Sequence, residues 1–125
     1  MGKKCYCGQL KPFSACCASY IRGELLAESP EILMRSRYSA YVTGAIEYLV
    51  QTTAPELQGA LNIVEIQKWA RENTWKMLEV LSAEGNEVEF KAHYRDRNGK
   101  LVVHHERSRF IYEAGRWFYQ DGDFY

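Results

Sequence analysis

Residues 88–112, VEFKAHYRDRNGKLVVHHERSRFIY, set the architecture that we expect for this chain. Within residues 88–94, apolar side chains occupy the even positions and polar ones the odd positions, which is the period of a half-buried β-strand. Residues 96–99, DRNG, are typical of a hairpin turn, and residues 101–112 are predicted to form a second, longer strand. Apolar residues in this longer strand shift from odd to even positions, which predicts a β-bulge within residues 104–107.

Upstream of these strands the apolar residues follow a helical period of about 3.6. The first long helix is predicted to begin at Ser29, whose hydroxyl can cap it just before Pro30, and to end at Gly44. Other helices are predicted over residues 45–50 and 62–71, with a short helical linker over residues 18–27 that docks through Tyr20, Leu25 and Leu26. A connection of irregular structure is expected from Pro55.

Further strands are predicted over residues 75–83 and 116–121. Three helices followed by an antiparallel meander make an α+β fold in which a curved sheet wraps the first helix. Four aromatic side chains lie at the apolar phase of their elements and are expected in the core: Trp69, Trp75, Trp117 and Tyr119.

The composition disfavours functions that depend on binding nucleic acid or a membrane. The chain has 125 residues, 16 basic and 16 acidic, so no net charge recruits nucleic acid or an anionic membrane. Its longest apolar runs are far shorter than the roughly 20 residues that cross a bilayer. The amino terminus resembles no secretory signal, and we therefore expect a reducing, cytoplasmic location and no membrane partner.

All four cysteines fall within thirteen positions, as Cys5, Cys7, Cys16 and Cys17, in a segment that we call the cysteine loop (residues 5–17). Two close pairs joined by a loop are the arrangement that a tetrahedral four-thiolate zinc site needs, so we predict one structural zinc ion. Gly8 suits the tight turn after the second ligand. The alternatives are two disulfides, against which the adjacency of Cys16 and Cys17 argues, or free, redox-active thiols. Four flanking basic residues would offset the charge of the site: Lys3, Lys4, Lys11 and Arg22.

The cysteine loop, CYCGQLKPFSACC, resembles the SEC-C motif, a small zinc-binding element also found at the tail of the SecA translocase. Residues 33–41 (LMRSRYSAY), 105–110 (HERSRF) and 115–122 (GRWFYQDG) resemble the YchJ-like family of small bacterial proteins. The resemblance implies a nuclear transport factor 2-like (cystatin-like) cone behind an amino-terminal zinc knuckle, with residues 1–28 as the zinc element and linker and residues 29–125 as the cone. The resemblance does not imply any particular reaction.

Charged and polar residues are also predicted to cluster at the mouth of the cone. The candidate ligand-binding residues are Arg35, Arg37, Tyr38 and Tyr41 on the first helix and His105, Glu106, Arg107 and Arg109 on the long strand. Arginines there would bind an anionic small molecule, and His105 or Glu106 could move a proton. In the alternative, Glu106 pairs with Arg35 or Arg37 and only ties the helix to the sheet. His104 and His105 should point to opposite faces, which disfavours a shared metal.

Two function hypotheses follow. In the first, the protein is a non-catalytic interaction module whose zinc knuckle offers a basic, aromatic surface to a protein or ribonucleoprotein. That surface comprises Lys3, Lys4, Tyr6, Lys11 and Phe13. In the second, the cone binds a small molecule or is weakly catalytic, as a hydro-lyase or isomerase, which rests on fold analogy alone. No catalytic triad or phosphate-binding loop occurs, so an enzyme is the less expected outcome.

Overall fold

In the computed structural model, which describes residues 4–125, helices precede a four-stranded antiparallel sheet, as the sequence predicted. The helices are α1 (Cys17–Ile21), α2 (Pro30–Thr43), α3 (Ile46–Gln51), α4 (Pro55–Gln58) and α5 (Ile63–Glu72), and a 3-10 helix, Phe13–Ala15, precedes α1. The strands are β1 (Thr74–Glu84), β2 (Glu87–Arg95), β3 (Leu101–Glu113) and β4 (Arg116–Phe124), paired in that order. The predicted α+β fold is confirmed, and α4 forms where an irregular connection was predicted. No helix within residues 4–125 is long and apolar enough to span a membrane.

Helix α2 is the central element, and its predicted ends are confirmed. The Ser29 hydroxyl oxygen accepts a hydrogen bond from the Ile32 amide at 3.2 Å, and Pro30 occupies the first helical position. Gly44 ends the helix in the left-handed region, with φ of 78°. Glycine is favoured there because it lacks the side chain that penalises positive φ.

The main core forms where α2 and α3 pack on the inner face of the sheet. Its largest fully buried apolar side chains are Leu33, Leu49, Val88 and Phe110. The predicted core aromatics Trp69, Trp75, Trp117 and Tyr119 are only half-buried. Three of them, Trp75, Trp117 and Tyr119, pack against this core.

Helix α1 is shorter than the predicted linker helix and ends at Ile21. Tyr20 and Ile21 pack against the main core, so the predicted docking of Tyr20 is confirmed. The prediction was wrong for Leu25 and Leu26, each of which is about half exposed. They follow the end of the helix, so the helical period no longer directs them inward.

Register shifts in the sheet lie outside the predicted position. Strands β2 and β3 pair without interruption from Glu87 opposite Arg109 to Arg95 opposite Leu101, so the predicted bulge within residues 104–107 is wrong. Register shifts occur instead in β1 and where Arg109 and Phe110 face Asp121 and Tyr119 of β4. The shift in apolar parity has another cause. The even positions 104, 106 and 108 face inward but carry polar side chains, while Leu101 and Val103 are exposed.

Candidate functional site

The four cysteines converge beside α2. Their sulfur atoms all lie within 4.8 Å of one another, and the sulfurs of Cys7 and Cys16 are 3.8 Å apart. A tetrahedral site with Zn–S bonds of about 2.3 Å places its sulfurs about 3.8 Å apart, whereas a disulfide bond is about 2.05 Å long. All four thiols are free. The donor set therefore fits one thiolate-preferring metal ion better than a pair of disulfides.

Local backbone geometry holds the loop in this shape. Gly8 has φ of 95°, a conformation that L side chains rarely adopt, and its amide donates to the Cys5 carbonyl at 3.1 Å. The next amide, that of Gln9, hydrogen-bonds the Cys7 sulfur. A β-carbon on Gly8 would also lie 3.5 Å from Nη1 of Arg35. The predicted turn after the second cysteine is confirmed, and Arg35 lies directly against it.

Crowding of the thiols makes their ionisation unequal. A hydrogen bond with Cys17 is the largest cause that lowers the pKa of Cys7, to about 5. Burial, followed by the nearby Cys7 and Cys5, raises the pKa of Cys16 to about 11. The hydrogen bond with Cys7, followed by burial, raises the pKa of Cys17. The pKa of Cys7 is thus lowered while those of Cys16 and Cys17 are raised, and a bound cation would favour the ionised form of the last two.

The cysteine loop is fastened to α2 mainly by Arg35. Its Nη1 donates to the Cys7 carbonyl at 2.6 Å, and its Nε donates to Oε2 of Glu31 at 2.9 Å. The Cys17 thiol donates to the Arg35 carbonyl at 3.6 Å, and the sulfur of Cys5 lies 3.6 Å from the Ser39 hydroxyl. The small side chain of Ser39 on this side of α2 is fully buried against the loop.

The outer surface of the loop combines apolar and basic groups. Tyr6 is 48% exposed, with its ring centroid 5.3 Å from that of Phe13, and Leu10 is 79% exposed. Lys11 is exposed on the same loop, and Lys4 is exposed directly before it. Lys3 lies outside the described residues. Arg22, predicted to offset the cysteine charge, forms an ion pair with Glu24 at 2.9 Å instead.

A cavity of about 230 Å³ lies between α2, α5 and the inner face of the sheet. Most of its lining is aromatic and includes Tyr38, Tyr41, Trp69, Trp75, Phe90 and Phe110. Ring centroids of Trp69 and Trp75 are 4.9 Å apart, and that of Tyr41 is 5.2 Å from Trp69. These rings meet edge to face, the favoured geometry for aromatic pairs. They form a rigid, apolar wall.

A polar wall adjoins these rings and centres on Glu106, a carboxylate only 6% exposed that lies across from Phe90 on the neighbouring strand. Its Oε2 accepts hydrogen bonds from Ser108 and Tyr119, both at 2.8 Å, and its Oε1 lies 2.8 Å from Nε2 of His104. Burial raises the pKa of Glu106, but the hydrogen bonds from His104, Ser108 and Tyr119 outweigh it, and the net pKa is lowered. Glu106 is therefore ionised, and Nε2 of His104 carries the hydrogen that it shares.

Two neighbours shape this polar wall. Arg37 lies over the Tyr119 ring, 4.8 Å from its centroid, and its Nη1 donates to the Leu49 carbonyl at 2.9 Å and to Thr52 Oγ1 at 2.7 Å. On β4, a β-carbon at Gly122 would clash with the Glu106 side chain. Glycine at this position leaves the space that the buried carboxylate occupies.

The structure divides the eight predicted ligand-binding residues into two equal groups. Arg37, Tyr38, Tyr41 and Glu106 line the cavity. Arg35 instead fastens the cysteine loop, His105 and Arg107 bond Glu89, and Arg109 bonds Asp121 and Asp123. His105 and Arg107 lie at odd positions of β3, on the face opposite the cavity. Ligand binding by the first group stays a prediction.

The alternative ion pair of Glu106 with Arg35 or Arg37 is wrong, because His104, Ser108 and Tyr119 occupy the carboxylate. The prediction that His104 and His105 face opposite sides is confirmed, since His104 lines the cavity. His105 was predicted to lie at the cavity, whereas the structure places His104 there. The alternation along β3 could have shown this, because His104, Glu106 and Phe110 all occupy even positions and therefore share one face of the strand.

Comparisons with known proteins agree with both parts of the molecule. The family model described as "YchJ, middle NTF2-like domain" matches residues 29–122. A UPF0225 protein of Haemophilus influenzae is 39% identical over 124 residues, which are 95% of this chain and 76% of that protein.

Two solved structures share the fold. The solution structure of a SEC-C motif containing protein from Rhodopseudomonas palustris has a TM-score of 0.88 and 38% identity, covering 97% of this chain and 98% of that one. The crystal structure of a SEC-C motif containing protein from Psychrobacter arcticus has a TM-score of 0.80 and 31% identity, covering 95% of this chain and 81% of that one.

Fold and site together define an NTF2-like α+β protein with an amino-terminal cluster of four cysteines. The chain belongs to the YchJ family, as its sequence blocks predicted.

Proposed function

We propose that Cys5, Cys7, Cys16 and Cys17 hold one structural zinc ion, and that the cysteine loop so formed is an interaction module for a protein or ribonucleoprotein. The observation that carries the zinc assignment is the convergence of four sulfurs within 4.8 Å, with a separation that a tetrahedral site requires. Zinc would supply the positive charge that lets all four thiols ionise.

The donor count supports a structural role for this metal. Four thiolates complete a tetrahedral zinc site, whereas a catalytic zinc keeps a position open for water or substrate. The metal would therefore hold the loop in shape and take no part in a reaction. A reducing compartment such as the cytoplasm, which keeps thiols from forming disulfides, suits this role.

The surface of the loop supports the interaction role. Exposed Tyr6 and Leu10 lie on the same short loop as Lys11, and Lys4 directly precedes this loop. Aromatic residues are enriched at protein interfaces, and lysines attract phosphate or acidic side chains. The chain as a whole is neutral, so any such attraction is local rather than a property of the net charge. The partner that we propose is accordingly an acidic protein surface or a ribonucleoprotein.

The zinc assignment is tested by elemental analysis of purified wild-type protein beside a Cys16→Ser/Cys17→Ser variant. Wild type should contain one zinc per chain and the variant none. The variant should keep the cone folded, because the cysteine cluster is separate from the core around Leu33 and Phe110. A variant that still held one tightly bound zinc would contradict the four-thiolate site.

The interaction role is tested by affinity capture from native lysate with a Lys4→Glu/Lys11→Glu variant. Its control is Lys68→Glu/Lys100→Glu, which makes the same charge change at exposed positions on α5 and the β2–β3 turn. Partners should be lost with the first variant and with the cysteine variant but kept with the control. If every partner stayed bound to the first variant, the interaction role would be wrong while the zinc site stood.

A further inference from the structure

We propose that the cavity between α2, α5 and the sheet is a binding site for a small, flat aromatic compound that donates a hydrogen bond to Glu106. This inference goes beyond the zinc site and rests on different residues. It depends on three observations: a buried carboxylate with remaining acceptor capacity, aromatic side chains that line the same cavity, and a cavity of suitable size.

Glu106 is the first observation. An ionised carboxylate offers about four acceptor positions, and His104, Ser108 and Tyr119 use three of them. Burying such a charge is costly unless hydrogen bonds compensate for it, and these three side chains do so here. A buried carboxylate that lines the cavity and has an acceptor position left over is suited to recognising a donor, and Gly122 leaves the space that it occupies.

The aromatic wall is the second observation. Trp69 and Trp75 line the cavity with centroids 4.9 Å apart, and Tyr41 packs edge to face on Trp69. Rings braced in this way present fixed faces and edges, against which another ring packs at no cost in side-chain entropy. The ligand should therefore be planar and apolar except for its donor.

Cavity volume sets the size of the ligand. A dry cavity of about 150 Å³ accommodates benzene, which has six heavy atoms. The volume here is about 230 Å³, and scaling gives about nine heavy atoms. Entry is through the side that Phe124 borders, because Phe124 lines the cavity yet is 66% exposed. An indole or a phenol with a short substituent meets these limits.

The experiment compares indole with indene, which has the same bicyclic shape and no N–H donor. Calorimetric titration and NMR of the wild-type protein should show saturable, one-to-one indole binding with shifts at His104 and Ser108. Indene should bind at least about tenfold more weakly, because a ligand without the donor leaves the buried carboxylate short of a partner. Equal affinity for the two compounds would overturn the role of Glu106. No saturable binding of indole would overturn the site.

Matched variants locate the donor contact. Glu106→Gln should remove most of the preference for indole over indene. Glu89→Gln should leave it unchanged, because Glu89 bonds His105 on the opposite face of the same strand pair. Loss of the preference in Glu89→Gln as well would overturn the assignment. The comparison of ligands in wild type remains decisive should Glu106→Gln fail to fold.

Discussion

Replacing Arg35 by alanine should loosen the cysteine loop from α2. The substitution removes the hydrogen bond from Nη1 to the Cys7 carbonyl, 2.6 Å long, and the ion pair with Glu31. A hydrogen bond from a charged donor contributes about 1.5–3 kcal/mol, and a partly exposed i,i+4 ion pair about 0.5 kcal/mol. The free energy of unfolding of the zinc-loaded protein should therefore fall by about 2.5 kcal/mol.

For a chain of 125 residues, about 4 °C of melting temperature corresponds to each kcal/mol. Differential scanning calorimetry should thus show Arg35→Ala melting about 10 °C below wild type. Competition with a chelator should also show weaker binding of the proposed zinc ion. Without Arg35 the loop is less ordered before it binds metal, so part of the binding free energy is used to order it.

The control for this prediction is Glu31→Ala, which breaks the ion pair and leaves the bond to the Cys7 carbonyl. It should lower the melting temperature by no more than about 2 °C. If Arg35→Ala were no more destabilising than Glu31→Ala, the contact with Cys7 would contribute nothing and the proposed fastening would be refuted.

Two further predictions concern the polar wall of the cavity. Gly122→Ala should lower the free energy of unfolding by about 1–3 kcal/mol in denaturant titrations, because the added methyl group displaces Glu106. The control is Gly59→Ala, where the space around the glycine is open. This control should be neutral or raise the free energy of unfolding by about 0.5 kcal/mol. Equal effects would contradict the clash. The folded-state pKa of Glu106 lies below its ordinary value of 4.5, so its ionised form stabilises the fold above that pH and this stabilisation is lost as pH falls through the lowered pKa. The difference in free energy of unfolding between wild type and Glu106→Gln should accordingly shrink with acidification, and a difference independent of pH would contradict the lowered pKa.

Features decided by neighbouring residues were predictable from the sequence. The cap at Ser29 and the stop at Gly44 depend on hydrogen bonds and dihedral angles within one helical turn. The turn at Asp96 is local as well, since its Oδ1 accepts from the amides of Asn98 and Lys100 at 2.9 and 3.0 Å. Such contacts do not depend on how distant elements pack.

Partners of the charged side chains were harder to predict. Arg35 was expected at the cone and instead bonds Cys7, twenty-eight positions earlier in the chain. Nothing in the spacing of α2 shows that one side of it packs on the sheet and another on the cysteine loop. The alternation of apolar residues on β3 led to a wrong bulge prediction for a similar reason. Leu101 and Val103 are apolar but exposed, while Glu106 is charged but buried.

The sequence by itself determined the α+β fold, the meander and the convergence of the four cysteines, because hydrophobic period, caps, turns and ligand spacing act over a few residues. Tertiary structure alone decided that Glu106 and His104 face an aromatic cavity while His105, Arg107 and Arg109 face outward, and that Arg35 serves the cysteine loop. A charged side chain on a strand is acceptable on either face if it is paired. Its partners lie on other elements, so only the packed chain selects the face.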